Sequence, residues 1–126
     1  MTKKVIILFV ATLMSVASVF AQGGTTGPLT WQLTGTAPNF TLTISGEGEM
    51  PDYDINYDLP PWYEYRESII AVVIENGVVT IGAQAFYYCN ALSVTIPNSV
   101  TTIGNGAFRA CEALTSITLP KMLLLW

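Results

Sequence analysis

The sequence predicts a mixed α/β repeat fold: a short solenoid of 22–23-residue units behind an N-terminal β-hairpin cap. Three observations carry that prediction. Residues 81–92, "IGAQAFYYCNAL", return as residues 103–114, "IGNGAFRACEAL", with seven of twelve positions identical at an offset of 22. Each copy follows a short segment of spaced apolar residues, Val72, Ile74 and Val78 before the first, Val94, Ile96 and Val100 before the second. Glycine and proline punctuate the units at matching places, Gly82 with Gly104 and Pro97 with Pro120. A fixed period of this length is the mark of stacked coils, each unable to bury its apolar face alone.

The elements follow in order. Residues 1–21 carry Lys3 and Lys4, an apolar run from Val5, and small residues ending at Ala21. This is the pattern of a secretory signal cleaved after Ala21. Thr12, Ser15 and Ser18 interrupt the run and turn-rich sequence follows it, which argues against a membrane anchor. Without those residues the chain keeps three basic side chains (Arg66, Arg109 and Lys121) against nine acidic ones. Seven of the nine acids fall within residues 47–67. A chain this acidic repels nucleic acid and anionic membrane surfaces, so neither is expected as a partner.

Residues 22–69 form the cap segment. "TWQLTG" and "FTLTISG" alternate Trp31/Leu33 and Leu42/Ile44 on one side with "GTAPN" between them, a β-hairpin pattern. Residues 47–68 are rich in Pro, Tyr and acid. Trp62, Tyr63 and Tyr65 there either pack on the first coil, covering the open end of the solenoid, or form an aromatic contact for a sugar or protein. Covering the end is the favoured reading. Asp52, Asp54 and Asp58 lack the glycine and closing glutamate of a calcium-binding loop, so they are read as a solvated acidic loop with no metal.

Residues 70–126 form the repeats, two full units and one begun. Within a unit, the strand sends Val94 and Ile96 to one face and Ser93 and Thr95 to the other. Gly82 and Gly104 mark turns that a side chain would obstruct. Ala85, Phe86, Cys89 and Leu92 then recur at a spacing that suits one face of a helical turn. The expected repeat core is Ile81, Phe86, Cys89, Leu92, Ile103, Phe108, Cys111 and Leu114, with Phe86 and Phe108 stacked one coil apart. Cys89 and Cys111 occupy equivalent positions and are expected to be reduced and buried rather than bridged.

This unit, Ile-Gly-x-x-Ala-Phe-x-x-Cys-x-x-Leu followed by a strand and Ile-Pro, resembles the BspA-like leucine-rich repeats, also called Treponema-type. The resemblance spans about residues 70–120 and agrees at roughly ten positions per unit. It implies a leucine-rich-repeat solenoid in a bacterial secreted or cell-surface protein that binds other proteins, with adhesion to host or matrix proteins the usual suggestion. It brings no catalytic residues and no cofactor.

The residues themselves point away from an enzyme as well. The chain has no histidine, no Gly-x-Ser-x-Gly and no phosphate-binding loop. Three functions are carried forward: a protein-binding scaffold, a carbohydrate-binding module using the aromatic segment, and a fragment of a larger repeat protein. For the scaffold, the outward face of the repeat strands is the expected contact. One column is Val73, Thr95 and Thr118; the next is Ala71, Ser93 and Ser116.

The third unit begins with Ile117, Leu119 and Leu123, offset by 23, and continues as "KMLLLW". That offset sets Trp126 where Ile103 stands one unit earlier. Five consecutive apolar residues, 122–126, are expected to drive self-association or aggregation.

Overall fold

A computed structural model describes residues 20–120 and 124–125. Residues 1–19 of the expected signal and most of the apolar C-terminal segment lie outside them. In chain order the strands are β1 Phe20–Thr26, β2 Leu29–Thr34, β3 Phe40–Gly46, β4 Gly48–Glu49, β5 Ile69–Ile74, β6 Val78–Ile81, β7 Ser93–Thr95, β8 Thr102–Ile103, β9 Ser116–Thr118 and β10 Leu124–Leu125. A 3-10 helix, Tyr63–Ser68, precedes β5.

Two sheets form. The larger has the order β1-β2-β3-β5-β7-β9 and the smaller β10-β8-β6-β4. The expected hairpin is present: β2 pairs antiparallel with β3, with Trp31 opposite Ile44 and Leu33 opposite Leu42. β1 adds a further antiparallel strand outside β2. From β3 onward every pairing is parallel, so each coil gives one strand to each sheet. The register repeats the sequence offset, with Val72 opposite Val94 and Val94 opposite Ile117. β3 is therefore both the last strand of the cap and the first of the stack.

The core lies between the sheets. Leu33, Leu42, Ile44, Ile69, Val72, Val78 and Ile81 are all buried from water. Through its centre runs an aromatic column. Trp62 and Phe86 stack with ring centroids 5.6 Å apart, and Phe86 and Phe108 stack at 5.3 Å. The indole N–H of Trp62 donates to the Ala85 carbonyl at 2.8 Å, satisfying its one polar atom inside the core. Trp31 and Tyr53 close the column edge-on against Trp62. Trp62 thus takes, in the segment before the repeats, the place that phenylalanine holds in the two coils after it.

The stretch expected to be helical is built of turns. Ala85, Cys89, Ala107, Arg109 and Cys111 each donate their amide three residues back, to Gly82, Phe86, Gly104, Gly106 and Phe108. The amides of Gln84, Phe86 and Tyr88 instead donate to Asn105, Ala107 and Arg109 of the next coil, at 3.1, 2.8 and 3.0 Å. Amides committed between coils cannot close the i→i−4 bonds of an α-helix. Positive φ recurs at Gln84 and Gly106, and again at Tyr88 and Ala110, so the same turn is used in both units. Across the described residues the fold is a sheet-rich stack of repeated coils, and its only helix is the 3-10 segment.

Gly82 and Gly104 are explained by coil spacing. A Cβ on Gly82 would lie 1.8 Å from the Pro51 carbonyl oxygen, and one on Gly104 would lie 2.5 Å from the Ala83 amide nitrogen. Only a bare backbone lets neighbouring coils approach this closely.

Two expectations need correction. Leu92, expected in the core, is 49% exposed, whereas Ala91 beside it is buried. The turn ends at Tyr88, burial alternates from Cys89 to Leu92 with Cys89 and Ala91 inside, and the chain then bends at Leu92 before β7, which leaves Leu92 on the outer side. In the last coil, β10 sets Leu125 opposite Ile103, so Leu125 and not Trp126 holds that place. β10 thus pairs with β8 at an offset of 22.

Candidate functional site

The outward face of the larger sheet gathers the residues singled out from the repeat. Strand alternation turns Val72 and Val94 into the core and leaves Ala71, Val73, Ser93 and Thr95 facing out. Register then aligns them. Ala71, Ser93 and Ser116 stand opposite one another, and so do Val73, Thr95 and Thr118. The two columns read from the sequence are two cross-strand ladders, with neighbouring strands about 4.8 Å apart.

Both ladders continue into the cap. Thr41 and Thr43 of β3 stand opposite Ala71 and Val73, and Thr34 and Gln32 of β2 stand opposite Thr41 and Thr43. Thr30 and Ser45 form a third, shorter row. From β2 to β9 the ladders read Gln32–Thr43–Val73–Thr95–Thr118 and Thr34–Thr41–Ala71–Ser93–Ser116. None of these side chains is charged, although the protein as a whole is acidic. The alternation of "TWQLTG" and "FTLTISG" put these cap residues on the outer side. Sequence reasoning missed that they join the repeat face, because the parallel pairing of β3 with β5 is non-local.

The aromatic segment takes a different position. Trp62 is 1% exposed and belongs to the core column. Tyr65 is half-buried and meets Phe40 edge-on at 6.1 Å. The Arg66 guanidinium lies over the Tyr63 ring at 4.0 Å and donates to the Tyr63 carbonyl. A ligand surface centred on Trp62 is therefore excluded by its burial.

The acidic loop uses its carboxylates internally. Asp52 accepts from the Ala83 amide at 2.8 Å, and Asp54 accepts from the Asn56 amide at 2.9 Å. Among the described residues, no group of three or more His, Cys, Asp or Glu side chains comes together to hold a metal. Thr26 and Tyr53 share a short, buried hydroxyl–hydroxyl hydrogen bond. Burial is the main reason that the Tyr53 phenol titrates above its ordinary range.

Both cysteines are free thiols. Cys111 donates through Sγ to the Phe86 carbonyl at 3.0 Å, and burial raises its pKa. Burial pushes the Cys89 thiol up to about 11. A thiol that stays protonated at neutral pH is a poor nucleophile, so this pair serves packing rather than chemistry. No helix among the described residues is long and apolar enough to cross a membrane.

Comparison with known families agrees with this geometry. The model of the BspA type Leucine rich repeat region (6 copies) matches residues 62–124. The chain belongs to the BspA-type leucine-rich-repeat family. The match begins at Trp62, the residue that opens the aromatic column.

Among solved structures, this BspA-type chain is similar to a leucine-rich repeat protein from Eubacterium ventriosum. The identity is 35% and the TM-score 0.66, over 86% of this chain and 28% of that one. It also aligns with a leucine rich cell surface protein from Faecalibacterium prausnitzii at 24% identity and a TM-score of 0.47, over 77% of this chain and 30% of that one. The chain thus spans less than a third of the length of either. No curated protein matches it.

Proposed function

We propose that this BspA-type chain is an exported, non-catalytic protein-interaction scaffold that engages its partner through the outward face of the larger sheet. One observation carries the reading: five parallel or antiparallel strands present continuous, uncharged Ser/Thr-rich ladders on an otherwise acidic molecule. A flat face free of charge escapes the desolvation penalty that a charged face would incur on burial against a protein. Its small hydroxyl side chains lose little rotamer entropy when ordered.

Export rests on residues 1–21, assigned to a signal peptide. Cleavage after Ala21 would leave Gln22–Thr26 paired with β2, and the register of β1 already breaks between Phe20 and Gln22. Residues 22–69 are assigned to the N-terminal cap segment and residues 70–126 to the repeats, with Trp62 already stacked in the repeat manner. The partner class favoured is a host or extracellular-matrix protein, which makes adhesion the biological role of the scaffold.

The test is direct binding of the purified chain to immobilised fibronectin, fibrinogen, laminin and collagen. Binding to at least one, weakened about tenfold or more by Thr95→Glu in a protein that melts at the same temperature, is the expected result. Thr95 is exposed, so the substitution leaves the core intact. Binding that is indifferent to Thr95→Glu would overturn the assignment of the face.

A further inference from the structure

A second surface, on the turn side of the coils, has the composition of a small-molecule site. A hollow of about 350 Å³ is lined by Arg66, Glu67, Tyr88, Asn90, Ala110 and Glu112. Its construction follows from the repeat. Tyr88 and Ala110 hold the same positive-φ turn position in two successive coils, Asn90 and Glu112 stand 22 residues apart in the same two, and Arg66 and Glu67 come from the 3-10 helix before β5. Where one coil carries tyrosine, the next carries alanine. The Tyr88 ring is therefore not covered by a neighbour of its own size, and Tyr88 is 51% exposed.

The lining is held in place by the backbone. The Tyr88 amide donates to the Arg109 carbonyl at 3.0 Å, and the Asn90 amide donates to the Arg66 carbonyl at 3.0 Å. The Asn90 side-chain amide nitrogen donates to the Glu67 carbonyl at 3.2 Å, which fixes its orientation. Arg66 is braced by the Tyr63 ring and carbonyl. Tyr87 leans on Tyr88 with ring centroids 4.6 Å apart. The hollow is thus a preformed wall of one aromatic ring with guanidinium, amide and carboxylate groups around it.

We propose that this hollow binds a neutral saccharide. A pyranose ring has one apolar C–H face, which suits the exposed face of Tyr88, and a rim of hydroxyls that both donate and accept. Arg66 offers donors only, while Glu67 and Glu112 offer acceptors only, so the two kinds of hydroxyl contact are met at once. One guanidinium against two carboxylates leaves the rim with a net charge of −1, which disfavours phosphates, nucleotides and acidic sugars. The volume lies at the small end of ligand pockets and holds one or two rings rather than a long chain. The lining shares no residue with the two ladders, so the proposal does not rest on the sheet face.

The experiment is saturation-transfer NMR on the purified chain with glucose, galactose, N-acetylglucosamine, maltose and cellobiose, with glucuronic acid as the anionic control. At least one neutral sugar binds in the millimolar range, and glucuronic acid binds several-fold more weakly. Tyr88→Ala lowers the affinity about tenfold or more without moving the thermal midpoint, because the ring is half exposed. Glu112→Ala, a change at an exposed side chain, also weakens it. Thr95→Glu leaves it unchanged, which separates this site from the scaffold face. The proposal is overturned if no neutral sugar in the panel binds at tens of millimolar. It is equally overturned if binding survives Tyr88→Ala, if glucuronic acid binds as well, or if Thr95→Glu abolishes binding.

Discussion

Phe86→Ala probes the stack at its centre. The ring is 1% exposed and lies between Trp62 at 5.6 Å and Phe108 at 5.3 Å, so it is packed on both faces. Truncating a buried phenylalanine costs about 3–5 kcal/mol. Losing two aromatic pairs, each worth about 0.5–1.5 kcal/mol beyond area, places the substitution near the top of that range. Phe108 is only half-buried and has a single stacked neighbour, so Phe108→Ala should cost roughly half as much. A small domain has about 5–15 kcal/mol in total, so Phe86→Ala should leave the fold marginal. Urea unfolding followed by far-UV circular dichroism reads both variants on one scale, with unchanged slopes and separate midpoints. Equal losses, or a loss below about 1 kcal/mol for Phe86→Ala, would refute the continuous column.

Three further outcomes are expected. Gly82→Ala and Gly104→Ala should each destabilise by about 3 kcal/mol or more in the same urea assay, because the new Cβ meets backbone that precedes it in the stack, at Pro51 and Ala83, rather than a movable side chain. The folded state holds the Cys89 thiol protonated up to about pH 11, whereas an unfolded thiol ionises near 9.0. That contribution is full below pH 9, falls away between pH 9 and 11, and amounts to about 2–3 kcal/mol. Burial raises the Tyr53 and Cys111 pKa values in the same sense, so Cys89→Ala is the control, and its stability should fall less steeply across this window. Finally, β9 is the edge of the larger sheet, with Ile117 and Leu119 at 40% and 43% exposure. Ile117→Lys should reduce self-association in light scattering, since charge on an edge strand opposes pairing with another chain.

The repeat was legible because identical residues at an offset of 22 leave little freedom in how coils stack. The Phe86–Phe108 stack and the pairing of Ala71 with Ser93 and of Val73 with Thr95 follow from that offset, and Ser116 and Thr118 join the same columns at an offset of 23. Trp62 was harder to place, because a tryptophan 24 residues before Phe86 breaks both the residue type and the period. The turn side was misread as helical because Ala85, Phe86 and Cys89 have the right spacing. Their neighbouring amides bond between coils, which no single-coil pattern reveals. Leu92 departs for a related reason: the turn ends at Tyr88, inside the apparent motif, and the chain bends at Leu92 before β7 begins. The smaller sheet consists largely of strands of two residues, defined by parallel neighbours far away in sequence. The hollow beside Tyr88 arises from a difference between units, Tyr88 against Ala110, and a search for identity passes over differences.

The scaffold reading is tested most directly by a charge scan across the ladders, read as affinity for whichever matrix protein the chain binds. Thr43→Glu, Thr95→Glu and Thr118→Glu place a carboxylate on three strands of the face, and Tyr57→Glu places one on the acidic loop, where Tyr57 is 90% exposed. The account predicts that the three ladder variants each lose about tenfold or more in affinity while Tyr57→Glu binds like the parent. Full binding by all three ladder variants, or a loss confined to Tyr57→Glu, would contradict it.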